Sequence, residues 1–133
     1  MPLSKINRTV AFLLLSVTLT AARPATAQDS WALCSGHIAA AEHLLSLPAG
    51  LLGAIARVES GRWHDERQEI IAWPWTVMAK GRGRSLPNKG AALREVRDLR
   101  ARGIGNIDVG CMQVNLGYHG AAFDDLEQAF DPA

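Results

Sequence analysis

The chain has 133 residues, enough for one domain whose core needs most of the length. It carries 14 Lys and Arg against 13 Asp and Glu, a net charge of +1. Removing an N-terminal leader with Lys5, Arg8 and Arg23 turns that into an excess of two acids, a balance that argues against nucleic acid as partner.

The leader itself is legible over 1–27. Lys5 and Arg8 form a basic start, 10–19 is an apolar run, and Ala25-Thr26-Ala27 supplies small residues before Gln28. This order predicts a secretory signal peptide cut after Ala27, so that 28–133 is an exported domain, periplasmic or secreted. Ten apolar residues are too few for a bilayer span, which needs about 20. Two cysteines remain, Cys34 and Cys111. In an oxidising compartment an even pair favours one disulfide, which on a chain-entropy basis would stabilise the fold by roughly 4–5 kcal/mol; two buried free thiols are the alternative.

From Ser30 as an N-cap, Cys34, Ile38, Ala41 and Leu45 follow a helical period up to Pro48. Pro48 opens a second helix that ends at Ser60-Gly61, and a turn this short predicts antiparallel packing. The stretch 62–68 has no periodicity and reads as a loop. IIAWPWTV at 70–77 is β-rich but cut by Pro74, which makes it an edge strand or extended arm. KGRGRSLPN at 80–88 reads as a turn, so a small hairpin or flap is expected there. Asn88 caps a third amphipathic helix with Ala92, Leu93, Val96 and Leu99 that stops at Gly103. The stretch 104–115 is apolar and glycine-marked, with Asp108, Gln113 and Asn115 among its polar residues. Ala122, Leu126 and Phe130 then predict a fourth helix over 121–130. The expected fold is mainly α with a small β-hairpin or flap.

Charge is uneven. The stretch 80–102 holds eight basic residues against Glu95 and Asp98, whereas 108–131 holds five acids and no Lys or Arg. The basic middle reads either as a solvated helix face or as a surface for an anionic polymer. Neither a metal nor a cofactor is expected. His37, His43, His64 and His119 are scattered, the i, i+6 spacing of the first two does not share a helix face, and no phosphate-binding glycine fingerprint is present.

The most informative stretch is LLGAIARVESG at 51–61. Leu51, Ile55 and Glu59 fall at i, i+4 and i+8, so Glu59 is expected on the apolar face, in the last turn, where the helix dipole is negative. Burial and dipole would both hold its carboxyl protonated, as a general acid requires. In GCMQVN at 110–115, Gln113 and Asn115 are amides able to bond sugar hydroxyl and acetamido groups without adding charge, or to satisfy buried backbone groups.

ARVESG at 56–61, DVGCMQVN at 108–115, LGYH and AFDP together resemble the SLT-type lytic transglycosylases of the lysozyme-like superfamily, over most of 34–132. The resemblance implies a cell-wall enzyme acting on peptidoglycan glycan strands at the bond between N-acetylmuramic acid and N-acetylglucosamine. It implies a lysozyme-like helical domain, with further family helices beyond AFDP missing from this chain. Glu59 would be the single general acid/base that yields 1,6-anhydro ends, with no cofactor. Ser60, Met112, Gln113, Asn115 and Tyr118 would bind substrate, and Trp73 and Trp75 would either pack on sugar rings or belong to the core. Wall remodelling and service to a secretion, pilus or flagellar apparatus are the roles such enzymes fill; the oligomeric state is open. A hydrolytic muramidase would add a second carboxylate, Asp108 before Asp65 or Glu69, roughly 5 Å from Glu59 for a retaining reaction. A module that binds peptidoglycan without cutting it is the other alternative.

Overall fold

The computed structural model describes residues 27–132; the expected signal peptide lies outside them, apart from Ala27. Five helices are seen: α1 (Ala27–Leu44), α2 (Leu51–Ser60), α3 (Lys89–Ala101), α4 (Leu116–His119) and α5 (Leu126–Ala129). Six strands accompany them: β1 (Gly61–His64), β2 (Glu69–Ala72), β3 (Thr76–Ala79), β4 (Arg82–Ser85), β5 (Ile107–Val109) and β6 (Val114–Asn115). With 48% helix and 20% strand, the fold is mixed rather than mainly α. No helix among the described residues is long and apolar enough to cross a membrane.

Each correction to the expected fold has a local cause. The stretch 62–68 is no plain loop, because Gly61 to His64 pair with Ala72 to Glu69 as an antiparallel hairpin. Pro74 does cut the following apolar run, but it does so as a corner: β2 stays with β1 while β3 enters a second sheet of order β4-β3-β5-β6. The basic turn narrows to Lys80 and Gly81, with φ of 51° and 72°, a two-residue hairpin of the kind whose twist suits antiparallel strands. The expected fourth helix shrinks to α5 after a 3-10 turn at Gly120–Ala122. Asp125 caps the backbone N–H of Gln128 at 2.8 Å, and Gln128 Oε1 accepts from Asp124 N–H, so the helix restarts there.

The third helix forms as expected. Asn88 Oδ1 accepts from Ala91 N–H at 2.9 Å and starts α3, whose inner face is Ala92, Val96 and Leu99. Gly103, at φ 75°, ends it: its N–H reaches Arg100 O and the N–H of Ile104 reaches Leu99 O. Ser30 is not a cap. It lies inside α1, buried, where its Oγ accepts from Trp75 Nε1 at 3.1 Å.

Two cores result. The larger joins α3 to the four-stranded sheet through Trp73, Trp75, Val77, Val96, Ile107 and Phe130. The smaller packs Cys34, Ala56 and Ala72 together, with Ile38, Cys111 and Met112 against them. Cys34 and Cys111 are bonded, with Cα atoms 5.7 Å apart at a sequence separation of 77.

α2 has no cap of its own, since Gly50 at φ 82° offers no side chain. The cap comes from α1. The Glu42 carboxylate accepts from Gly50 N–H at 2.8 Å and from Gly53 N–H at 3.1 Å, filling orphan donors where the helix dipole is positive. The bonds to Gly50, then Gly53 and Leu52, hold the Glu42 carboxyl below the usual glutamate value against the opposing pull of desolvation.

Replacing Cys34 and Cys111 by Ser should cost about 2–5 kcal/mol and lower the thermal midpoint by roughly 10–20 °C, as calorimetry on oxidised and substituted protein would show. Because the Glu42 pKa is depressed in the folded state, its stabilisation is present above the unfolded value of about 4.3 and lost as pH falls through the folded one. Urea unfolding of Glu42→Gln should therefore show a deficit at neutral pH that narrows on acidification through that range.

Candidate functional site

Helix α2 turns an unexpected face inward. Ala56 and Ser60 are buried, with Leu52 and Gly53 half-buried beside them, whereas Leu51 and Ile55 are 43% and 40% exposed and Val58 is 84% exposed. The face that packs is the one with small side chains, because it lets α2 lie close to α1 and β2. A Cβ on Gly53 would already touch Ile38 Cγ2 at 3.9 Å. The Leu51–Ile55–Glu59 stripe therefore lies about a third of a turn away from the core. Glu59 is exposed, and makes no side-chain hydrogen bond or ion pair among the described residues. The burial on which its expected protonation rested is absent.

The backbone around Glu59 is nevertheless tightly determined. Ser60 is buried, and its Oγ lies 2.7 Å from Cys111 O and 3.1 Å from Ala56 O. A hydroxyl has one proton, so the shorter contact, to Cys111, is the principal bond. Ser60 O in turn accepts from Trp73 N–H at 3.1 Å. Gly61 follows in ordinary extended geometry, φ −59° and ψ 134°, so no special torsion demands glycine. Space does: a Cβ there would sit 2.1 Å from Arg57 O and 2.5 Å from Ile70 Cγ2. The Glu-Ser-Gly order thus puts an exposed acid, a buried hydroxyl tie and a close approach of helix to strand in three successive residues.

The second stretch turns back on itself. Gly110 and Gln113 both have positive φ, 79° and 49°, which closes the link between β5 and β6. Gln113 Nε2 donates to Gly110 O at 2.9 Å and Thr76 O at 3.2 Å, while its buried Oε1 has no protein partner among the described residues. Asn115 uses both ends of its amide. Its Nδ2 donates to Asn106 Oδ1 and to Asp108 Oδ1, the latter at 2.7 Å, and its Oδ1 caps α4 by accepting from Gly117 and Tyr118 N–H. Asp108, the expected second carboxylate, is thereby held against Asn115 across the β5–β6 pair.

Ser60, Cys111 and Cys34 are brought together, with Met112 next to them. Met112 lines an apolar groove of about 210 Å³ with Ile38, Leu52, Phe123 and Phe130. Glu59 is not among the residues lining that groove. Tyr118 is 84% exposed on α4. Trp73 and Trp75 are 1% and 6% exposed, with Nε1 bonded to Leu86 O and Ser30 Oγ, which makes both core residues. The sequence reading missed Glu42 as the cap of α2 and Trp31, whose ring centroid lies 4.5 Å from Trp73 with Arg62 over both. A carboxylate eight residues before a glycine-led helix was the available signal for Glu42; nothing local marked Trp31.

Gly61→Ala should force Arg57 O or the whole end of α2 to move, at about 1–3 kcal/mol. Urea midpoints would report the loss, and amide exchange would show it concentrated at residues 57–60. Set beside protein-family models, characterised proteins and solved structures, the chain matches none of them.

Proposed function

We propose that the chain is a peptidoglycan lytic transglycosylase acting outside the cytoplasmic membrane, with Glu59 as its single acid/base group. The observation that carries the reading is the 2.7 Å bond from Ser60 Oγ to Cys111 O. The two stretches on which the family resemblance rests are 51 residues apart in sequence at that bond and in direct contact in space. The Cys34–Cys111 bridge fastens the same point a second time.

In the proposed reaction Glu59 gives its proton to the glycosidic oxygen as the bond from the muramoyl anomeric carbon breaks. The muramoyl 6-hydroxyl oxygen then bonds to that carbon and its proton returns to Glu59. No water is consumed, and the product ends in a 1,6-anhydro ring, which is why one carboxylate suffices where hydrolytic glycosidases use two. The exposed Leu51–Ile55–Val58 surface beside Glu59 suits the apolar faces of sugar rings. A strand laid on it would exclude water from around the carboxylate.

A second reading, a module that binds peptidoglycan without cutting it, is favoured by the exposure of Glu59 and its lack of a side-chain partner. Mass spectrometry of the soluble products from purified peptidoglycan separates the two. Anhydro-muropeptides are expected from the unaltered protein and should fall at least about 100-fold in Glu59→Gln, a general acid contributing 10²–10⁴-fold, while sedimentation with sacculi is retained. Sedimentation with no product from either protein would leave the binding module, and products with reducing ends would mean a hydrolase.

A further inference from the structure

A second surface of the molecule has its own chemistry. The β3–β4 hairpin and the C-terminal half of α3 enclose a groove of about 580 Å³. Its floor is aliphatic, made of Val77, Ala79, Leu99 and Ile104. Its rim carries Lys80, Arg82, Arg84 and Arg102 against one acid, Glu95. Glu95 is taken by Arg84, so Lys80, Arg82 and Arg102 have no carboxylate partner among the described residues. Arg102 Nε donates to Asp98 O, which fixes the base of the guanidinium and leaves its terminal nitrogens for a ligand. The groove does not stop there: a shallower recess shares Arg84, Glu95 and Arg102 and runs on to Asp98 and Ala101.

We infer that this groove holds a stretch of an anionic polysaccharide, with sugar rings on the aliphatic floor and their carboxylate, sulfate or phosphodiester groups on Lys80, Arg82 and Arg102. Several cations on one rim, with a second recess continuing from it, match a chain carrying repeated anions rather than a single anion. Guanidinium groups bond planar and tetrahedral oxyanions in pairs. No aromatic side chain lines the groove, so a nucleobase has nothing to stack on. The apolar residues form a recessed floor and not a protruding wedge, which does not suit a flat lipid surface. The groove shares no residue with the Glu59 region, and the inference stands independently of the activity proposed for it.

The test is a fluorescence titration of the protein with a heparin hexasaccharide at several salt concentrations. Arg82→Ser/Arg102→Ser should weaken binding at least about tenfold and reduce the slope of log affinity against log salt by roughly 1–2. Lys89→Ser/Arg94→Ser, the same loss of charge elsewhere on α3, should leave affinity within about twofold, with near-ultraviolet circular dichroism confirming that both variants are folded. Equal weakening in the two variants would show diffuse surface charge and overturn the assignment. So would the absence of hexasaccharide binding at low salt, or tighter binding to a thymidine oligonucleotide or to phosphatidylglycerol vesicles.

Discussion

The structure depends on a small knot of contacts at Cys111. Its sulfur is bonded to Cys34 on α1 and its carbonyl accepts from Ser60 at the end of α2. Immediately beyond Ser60 the chain enters β1, and Ser60 O accepts from Trp73, the first residue past β2. One residue therefore joins the two long N-terminal helices, the two-stranded sheet and the link between β5 and β6. The core around this knot is small: among the described residues its buried members are Cys34, Ala56 and Ala72. Covalent and polar ties supply what packing does not.

What could be read from the sequence was set by how local its cause was. α3 was legible in full, since Asn88, the Ala92–Val96–Leu99 face and Gly103 are all signals within the helix or next to it. The disulfide was legible from the parity of the cysteines and the expected export of the chain. Of the strands, the extended run at 70–77 and the hairpin turning within 80–88 were legible; β1, β5 and β6 were not, because the strands are two to four residues long and two of them, GRWH and RGRS, show no useful alternation of burial. Each of those two is a strand through the neighbouring arm of its hairpin, β2 and β3 respectively, and an isolated window of Gly and Arg carries no trace of that. The amides illustrate the same limit: Asn115 is a helix cap and strand neighbour first, and its sequence gave no way to see Asn106 and Asp108 beside it.

The face of α2 is the most consequential case. Hydropathy favours Leu51 and Ile55 as the inward residues, yet the helix packs through Gly53, Ala56 and Ser60. Close approach of backbones gains contacts along the whole length of a helix, and a bulky residue at the interface would forbid it. The stripe that looked like core is thus left on the surface, and the acid at its end goes with it. The candidate site is a consequence of how tightly the other side packs.

Glu42 completes this picture from the opposite end. It secures the first turn of α2 while Ser60 secures the last, and both anchors belong to interactions with other segments. A ten-residue helix is too short to persist unaided. Held at each end, it is placed like a beam on two supports, its register along α1 and its rotation about its axis set by those bonds. The direction in which Glu59 leaves that beam is therefore set by Glu42 on α1 and by its own chain neighbour Ser60.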